Sequence, residues 1–262
     1  MLTIVTPYFE DEEQLTRYLS QDCFDLVDEV IIIDDGSEVE NAKDIVREYL
    51  KKQIVPPHCK FRVLRVAENL GFNAHGCRNL GVQQASNDWV LLIDVDMKFD
   101  KNFLLKVKEQ IKNLPENTFL GFSFDTSSCP DLSNAYPASV FKTEPIEYNT
   151  YAIKKNDFLS TRGYDEEFVN IHGGSRVFIE RLMTKYERVI CPDCSTSPTR
   201  VSREIRVIDG QEKTTYDQWF IYHPHTWDNV ETLLEMARER NKHPETWKDK
   251  TFINFDWYEE KI

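Results

Sequence analysis

A chain of 262 residues can bury a full core without disulfides or a structural metal, and its length fits one large domain or two small ones. Its 45 Asp and Glu against 32 Lys and Arg leave a net charge of -13, which repels phosphate backbones and anionic bilayers. That balance argues against nucleic acid and membrane surfaces as partners, while surplus carboxylates suit a site holding a divalent cation.

The first half alternates short apolar runs with helical patterns. Residues 2–6 read as a strand, and residues 10–20 as a helix with Leu15, Tyr18 and Leu19 on one face. Val30 to Ile33 form a second strand that ends in Asp34-Asp35-Gly36-Ser37. Ala42, Ile45, Val46, Tyr49 and Leu50 then keep a helical rhythm. Residues 61–66 predict a third strand, 73–85 a helix, and 89–93 a fourth strand running into Asp94-Val95-Asp96. Strands rich in Val and Ile, each followed by a helix, mean βαβ units and a mostly parallel sheet flanked by helices. Ligands of such sheets bind beyond the carboxyl ends of the strands, and here three polar clusters converge on that edge.

The second half is less regular. Phe103, Leu104, Val107 and Ile111 mark a helix, 119–124 a strand, 125–145 an extended loop or irregular insertion, and 228–240 a helix. The aromatic and charged tail from Asn241 is expected to pack over the core. With no repeats and no linker, the chain reads as one domain over 1–262. No apolar run approaches a membrane span, the N-terminus has no secretory pattern, and the six scattered cysteines are expected to be free buried thiols. A soluble cytoplasmic protein is the expectation. Zinc at Cys191-Pro192-Asp193-Cys194 would need a second CxxC, and there is none.

Asp94 and Asp96, two apart at a strand end, can point the same way, and paired carboxylates repel unless a cation sits between them. A hard divalent ion there would bridge to a diphosphate; the bland alternative is that they cap a turn. Asp34-Asp35-Gly36-Ser37 is either an Asx-type turn with Gly36 at positive φ, or an acceptor, Asp35, for a base or ribose. Arg78, in Asn69-Leu70-Gly71-Phe72-Asn73-Ala74-His75-Gly76-Cys77-Arg78-Asn79, could fork onto a phosphate or base carbonyl, or sit on a helix surface. His223 and His225 flank Pro224 and are either metal ligands or loop histidines.

Thr6-Pro7-Tyr8, Asp34-Asp35-Gly36-Ser37, Asn69-Leu70-Gly71 through Arg78-Asn79, and Asp94-Val95-Asp96 resemble, in order, the motifs of GT-A-fold, family 2-like glycosyltransferases. The resemblance implies a Rossmann-like GT-A domain, its residues 1–100 binding a nucleotide sugar and 101–262 the acceptor. It implies that Thr6, Tyr8, Glu10, Asp35 and Arg78 contact the nucleotide. Asp94 would lie by the ribose or metal, and Asp96 would hold Mn²⁺ or Mg²⁺ against the diphosphate, with His223 or His225 completing the shell. The implied reaction moves a sugar, probable class UDP-linked, to a carbohydrate or glycoconjugate acceptor.

Downstream, Asn149-Thr150-Tyr151-Ala152-Ile153 and Arg162-Gly163-Tyr164-Asp165-Glu166-Glu167-Phe168 are similar to the acceptor side of galactosyltransferase-like members. That family usually continues with a Gly-Gly-Glu-Asp motif that supplies the base, where this chain has His172-Gly173-Gly174-Ser175-Arg176. Asp165, Glu166, His172 and Glu180 are then candidate bases, and Arg176 a candidate partner for the leaving diphosphate. Ser175 in place of a carboxylate also raises the alternative of a nucleotide-sugar-binding protein without catalysis. A nucleotidyltransferase fits less well, because Pro7-Tyr8-Phe9-Glu10 stands where its glycine-rich phosphate loop would be.

Overall fold

The computed structural model describes residues 1–21, 23–52, 58–71, 73–124, 146–170, 173–198, 205–208, 211–214, 227–243 and 253–262. In chain order these form β1 (Leu2–Tyr8), α1 (Glu12–Leu19), β2 (Glu29–Asp34), α2 (Ala42–Lys52), β3 (Lys60–Val66), α3 (Ala74–Gln84), β4 (Trp89–Leu92) and β5 (Met97–Lys98). There follow α4 (Lys101–Asn113), β6 (Thr118–Phe124), β7 (Ile146–Lys154), α5 (Lys155–Ser160), α6 (Gly174–Leu182), β8 (Glu187–Pro198), β9 (Ile205–Ile208), β10 (Gln211–Thr214), α7 (Trp227–Asn241) and β11 (Trp257–Glu260).

Among the described residues one nine-stranded sheet runs in the order β11-β3-β2-β1-β4-β7-β6-β8-β5, and β9 with β10 makes a separate hairpin. β1, β2, β3 and β4 are parallel neighbours. β7 runs against β4 and β6, so β6 and its parallel partner β8 share the direction of β1. Only β5, β7 and β11 oppose it, and the sheet is mostly parallel as the sequence predicts.

Burial follows from helices on both faces. Every residue of β1 and of β2 is buried, which is how strands covered on two sides read. Ile4, Val30, Ile32 and Leu91 face Leu15, Tyr18 and Leu19 of α1, Val46 of α2, and Phe103, Leu104 and Val107 of α4. Val5, Ile31, Ile33 and Leu64 face Cys77, Leu80 and Val82 of α3, with Phe158 of α5 and Phe178 of α6. α3 lies unusually close to the sheet: a Cβ at Gly81 would stand 2.3 Å from Val5 Cγ1. Glycine there lets the helix backbone approach the strands, and residues 74–82 of α3 are all buried, polar ones included.

Two features differ from the sequence expectation. The tail does pack, but as a strand: Trp257 to Glu260 pair antiparallel with Val66 to Val63 of β3. And Cys191 and Cys194 are joined in a disulfide with Cα atoms 5.4 Å apart, while Cys23, Cys59 and Cys77 are free and buried. The cause is local. The β6–β8 register passes from Gly121↔Ile190 to Ser123↔Ser195, so β8 bulges between them and brings its two cysteines together. Thiols spent on each other offer no thiolate pair to zinc. Residues 125–145 lie outside the described residues. Among the described residues no helix is long and apolar enough to cross a membrane.

Candidate functional site

The site begins with the parallel register. Asp35 N–H donates to Tyr8 O at 2.9 Å and Ile93 N–H donates to Val5 O at 3.1 Å, which brings the ends of β1, β2 and β4 to one edge. Thr6, Tyr8, Asp35 and Asp94 thereby share a neighbourhood, as the sequence pattern expects of strand ends.

The two aspartates after β2 do different things. Asp34 builds the loop: Oδ1 accepts from Ser37 N–H at 2.7 Å, and Oδ2 accepts from Ala42 N–H at the start of α2 at 2.9 Å. Arg65 Nη1 adds a bond to Oδ2 at 3.3 Å, and Gly36 takes the left-handed turn at φ +79°. Asp35 builds nothing comparable. It is 3% exposed, and Oδ2 accepts from Asn73 N–H at 2.7 Å. Oδ1 is buried with no hydrogen-bond partner. Burial pushes this carboxyl up to about 7, against the pull of the Asn73 N–H and the Cys77 thiol, with Asp34 adding to the rise.

α3 contributes the next groups. Asn73, just before its first turn, is 1% exposed, and neither its side-chain oxygen nor its nitrogen has a partner. Arg78 donates through Nη2 to Asp94 Oδ1, and its guanidinium lies 5.6 Å from the centre of the Tyr164 ring. Its Nε is buried without a partner. Burial disfavours the charge, Asp94 more than restores it, and the guanidinium pKa lies above its usual value. Asp94, Val95 and Asp96 form a turn closed by Met97 N–H donating to Asp94 O at 3.1 Å, with both carboxylates half-buried.

The other predicted residues are placed as follows. Thr6 Oγ1 donates to Tyr18 OH at 2.6 Å; Tyr8 OH donates to Glu40 O at 2.7 Å and accepts from Asp11 N–H at 3.1 Å. Both side chains therefore brace loops from inside the core. The Glu10 carboxylate accepts from the N–H groups of Glu38, Val39 and Glu40, the last two at 2.9 and 2.8 Å. It clasps the loop after β2. Asp165 Oδ2 accepts from Arg181 Nη1 at 3.1 Å, both side chains nearly buried. Glu166 accepts from Asn79 Nδ2 and from the N–H groups of Ile253 and Asn254, each at 2.9 Å, tying the tail to α3. Arg176 is exposed and donates to Glu180 at 3.0 Å. His172, His223 and His225 lie outside the described residues. Among the described residues no three His, Cys, Asp or Glu gather as metal ligands.

Sequence reasoning missed Asn73 and Tyr164. Asn73 sits inside the quoted Asn69–Asn79 stretch, where a polar side chain before a helix reads as an ordinary cap; the structure gives it no side-chain cap bond. Tyr164 reaches Arg78 across 86 positions, as the pair itself shows, and no local pattern signals that.

Residues 3–180 match the profile of the family described as Glycosyl transferase family 2. A comparison with curated proteins found no match. S. aureus TarS 1–349 in complex with UDP is similar in fold, with a TM-score of 0.56 and 18% identity over 75% of this chain and 59% of that one. The chain thus spans 59% of that TarS fragment's length. The mannosyltransferase PcManGT from Pyrobaculum calidifontis, in complex with GDP-Man and Mn²⁺, is similar over 95% of this chain and 76% of that one, with a TM-score of 0.56 and 13% identity. GalNAc-T7 with UDP, GalNAc and Mn²⁺ is similar over 92% of this chain and 55% of that one, with a TM-score of 0.53 and 16% identity.

Proposed function

The chain belongs to glycosyl transferase family 2, and from that premise we propose that it moves a sugar from a nucleoside diphosphate sugar, UDP-linked, to a hydroxyl of a carbohydrate or glycoconjugate acceptor. Residues 1–100 bind the donor and residues 101–262 shape the acceptor side of one domain. The observation that carries this reading is a set of orphaned polar atoms. Asp35 Oδ1, the Asn73 amide and Arg78 Nε are all buried without hydrogen-bond partners at the carboxyl edge of the parallel strands.

Such groups cost about 1–3 kcal/mol each when left unmade, and a ligand that satisfies them recovers that cost. A uracil ring offers the complement, an imide N–H for Asp35 and carbonyl oxygens for Asn73 and Arg78. Arg78 in turn fixes Asp94, and Glu10, Tyr8 and Thr6 hold the two loops that frame the base.

Asp94 and Asp96 are hard oxygen donors two positions apart on an accessible turn, a donor set that fits Mn²⁺ or Mg²⁺. They would hold the ion, with His223 or His225 as further ligands, and the ion supplies charge neutralisation to the departing diphosphate. Mn²⁺ in the PcManGT and GalNAc-T7 complexes supports that assignment.

Thermal unfolding with UDP and GDP, each with and without Mn²⁺, tests the reading. A ligand at one hundred times its Kd adds about 2.7 kcal/mol to the native state, which raises Tm by several degrees in a chain of this size. A Mn²⁺-dependent shift with UDP larger than that with GDP is expected. No shift with either nucleotide sinks the proposal.

A further inference from the structure

We propose that Ser175 and His75 form the proton relay of the transfer, replacing the carboxylate base that the chain lacks; the inference rests on the glycosyltransferase reading above. His75 Nε2 lies 3.2 Å from Ser175 Oγ, across one hundred positions of sequence. The imidazole is 3% exposed, its ring centre 5.3 Å from that of Tyr164 and 6.1 Å from that of Phe168. Ser175 is half-exposed in the first turn of α6. One end of the pair is thus held in the core and the other can meet an acceptor.

The close approach depends on Gly174. A Cβ there would stand 2.9 Å from His75 Nε2, so any other residue would push the ring away from Ser175. The pair also sits beside the donor machinery. His75 and Arg78 are three apart on α3 and so share a face. Tyr164 contacts both, and Arg78 bonds Asp94.

The carboxylates nearby are committed elsewhere. Asp165 is ion-paired with buried Arg181, Glu166 accepts three hydrogen bonds that fasten the tail, and Glu180 pairs with Arg176 and Arg238. His75 in the tautomer protonated on Nδ1 leaves Nε2 to accept from Ser175 O–H. The acceptor hydroxyl oxygen then bonds to the sugar C1 as the bond from C1 to the diphosphate oxygen breaks, its electron pair leaving with the diphosphate. The hydroxyl proton passes to Ser175 Oγ, and the original Ser175 proton passes to His75 Nε2. Imidazolium returns that proton to solvent after product leaves.

The test uses the full chain with UDP-GlcNAc and GDP-Man, reading nucleoside diphosphate release to water and to carbohydrate acceptors. It compares wild type, Ser175→Ala, His75→Gln and the double variant His75→Gln with Ser175→Asp. Loss of a general base lowers kcat by about 10²–10⁴-fold, and donor KM and UDP binding by calorimetry should stay at the wild-type values. The double variant, with its carboxylate at position 175, should regain at least about tenfold over His75→Gln. Ser175 is half-exposed, so Ser175→Ala decides alone if His75→Gln does not fold.

Wild-type kcat in Ser175→Ala overturns the relay, and so does a parallel loss of kcat and UDP binding. A wild type that binds UDP yet turns over no donor overturns the relay and leaves the nucleotide site standing. A wild type that binds no nucleotide is instead the failure of the glycosyltransferase reading.

Discussion

Arg78 and Asp94 form an ion pair in which the cation is buried and the anion is not: their side chains are 4% and 26% exposed. The arginine is supported from behind by the Tyr164 ring, and its single partner carboxylate is the one nearest the proposed donor. Removing the guanidinium leaves Asp94 to hydrate, so the stability cost should fall at the low end for a broken buried pair, about 3 kcal/mol. Arg78→Met should therefore lower the urea midpoint without changing the slope, and UDP affinity should fall by at least about tenfold. Arg78→Lys keeps the charge but loses the planar fork and its stacking on Tyr164. UDP affinity in Arg78→Lys equal to wild type would show that the arginine serves the fold alone.

Asp35 sets stability against binding. Its folded carboxyl is pushed up to about 7 by burial, where an unfolded aspartate titrates near ~3.9. The folded state therefore favours the protonated form. The contribution of this group is fully present below the unfolded value and is lost as pH rises toward 7. Asp35→Asn cannot ionise, so its Tm should exceed that of wild type at pH 8 and match it at pH 4. The same substitution presents an amide to the base, and the UDP-induced shift should vanish. A variant stabilised by UDP as strongly as wild type would remove Asp35 from the donor site.

Much of this was legible beforehand. Buried parallel strands announce themselves as apolar runs, and Val30 to Ile33 could hardly be anything else. The strand-end aspartates were visible because a turn follows each strand. What escaped were relationships fixed by register and packing. Trp257 to Glu260 add an edge strand, but with two of the four side chains exposed they show no apolar run. The split between Asp34 and Asp35 depends on which carboxylate the α2 N-terminus takes, and the sequence presents the two as equals. His75 and Ser175 meet only because Gly174 lets α6 close on α3. Glu10 and Glu166 look like free carboxylates in the sequence, whereas each accepts three hydrogen bonds in the fold.

At the far end of the sheet, Glu29 anchors β1, β2 and β3 together. It accepts from Thr3 Oγ1, Ser86 N–H and Ser86 Oγ, each at 2.8 Å, and from Arg62 Nη1 at 3.1 Å. Burial alone would raise its pKa, but these donors outweigh it and hold the carboxyl below its ordinary value. Its stabilising contribution is present above the unfolded pKa and is lost as pH falls through the folded one. Glu29→Ala should cost about 3–5 kcal/mol at pH 7, since it strands buried Arg62 and two hydroxyls. The gap in Tm between variant and wild type should narrow as pH is lowered below 4. A gap unchanged between pH 7 and pH 3 would mean that the ionised form of Glu29 contributes nothing.

Asp96 separates metal binding from folding. It stands half-buried on a turn whose closing bond runs between the Met97 and Asp94 backbones, so Asp96→Ala leaves that bond in place. The variant should melt close to wild type in the absence of ligand. If Asp96 carries the cation, UDP should still stabilise the variant weakly, through Asp35 and Arg78, and the Mn²⁺-dependent increment should disappear. Turnover should fall by at least about 10²-fold, because the ion contributes several kcal/mol of charge stabilisation to the departing diphosphate. Asp25→Ala is the matched control: Asp25 pairs with Lys101 on the surface, the two side chains 40% and 54% exposed. Such a pair contributes little, so this variant should keep both the Mn²⁺ increment and full turnover. Retention of the Mn²⁺ increment in Asp96→Ala would move the metal to another set of ligands, with Asp94 and the residues near His223 the next to be changed.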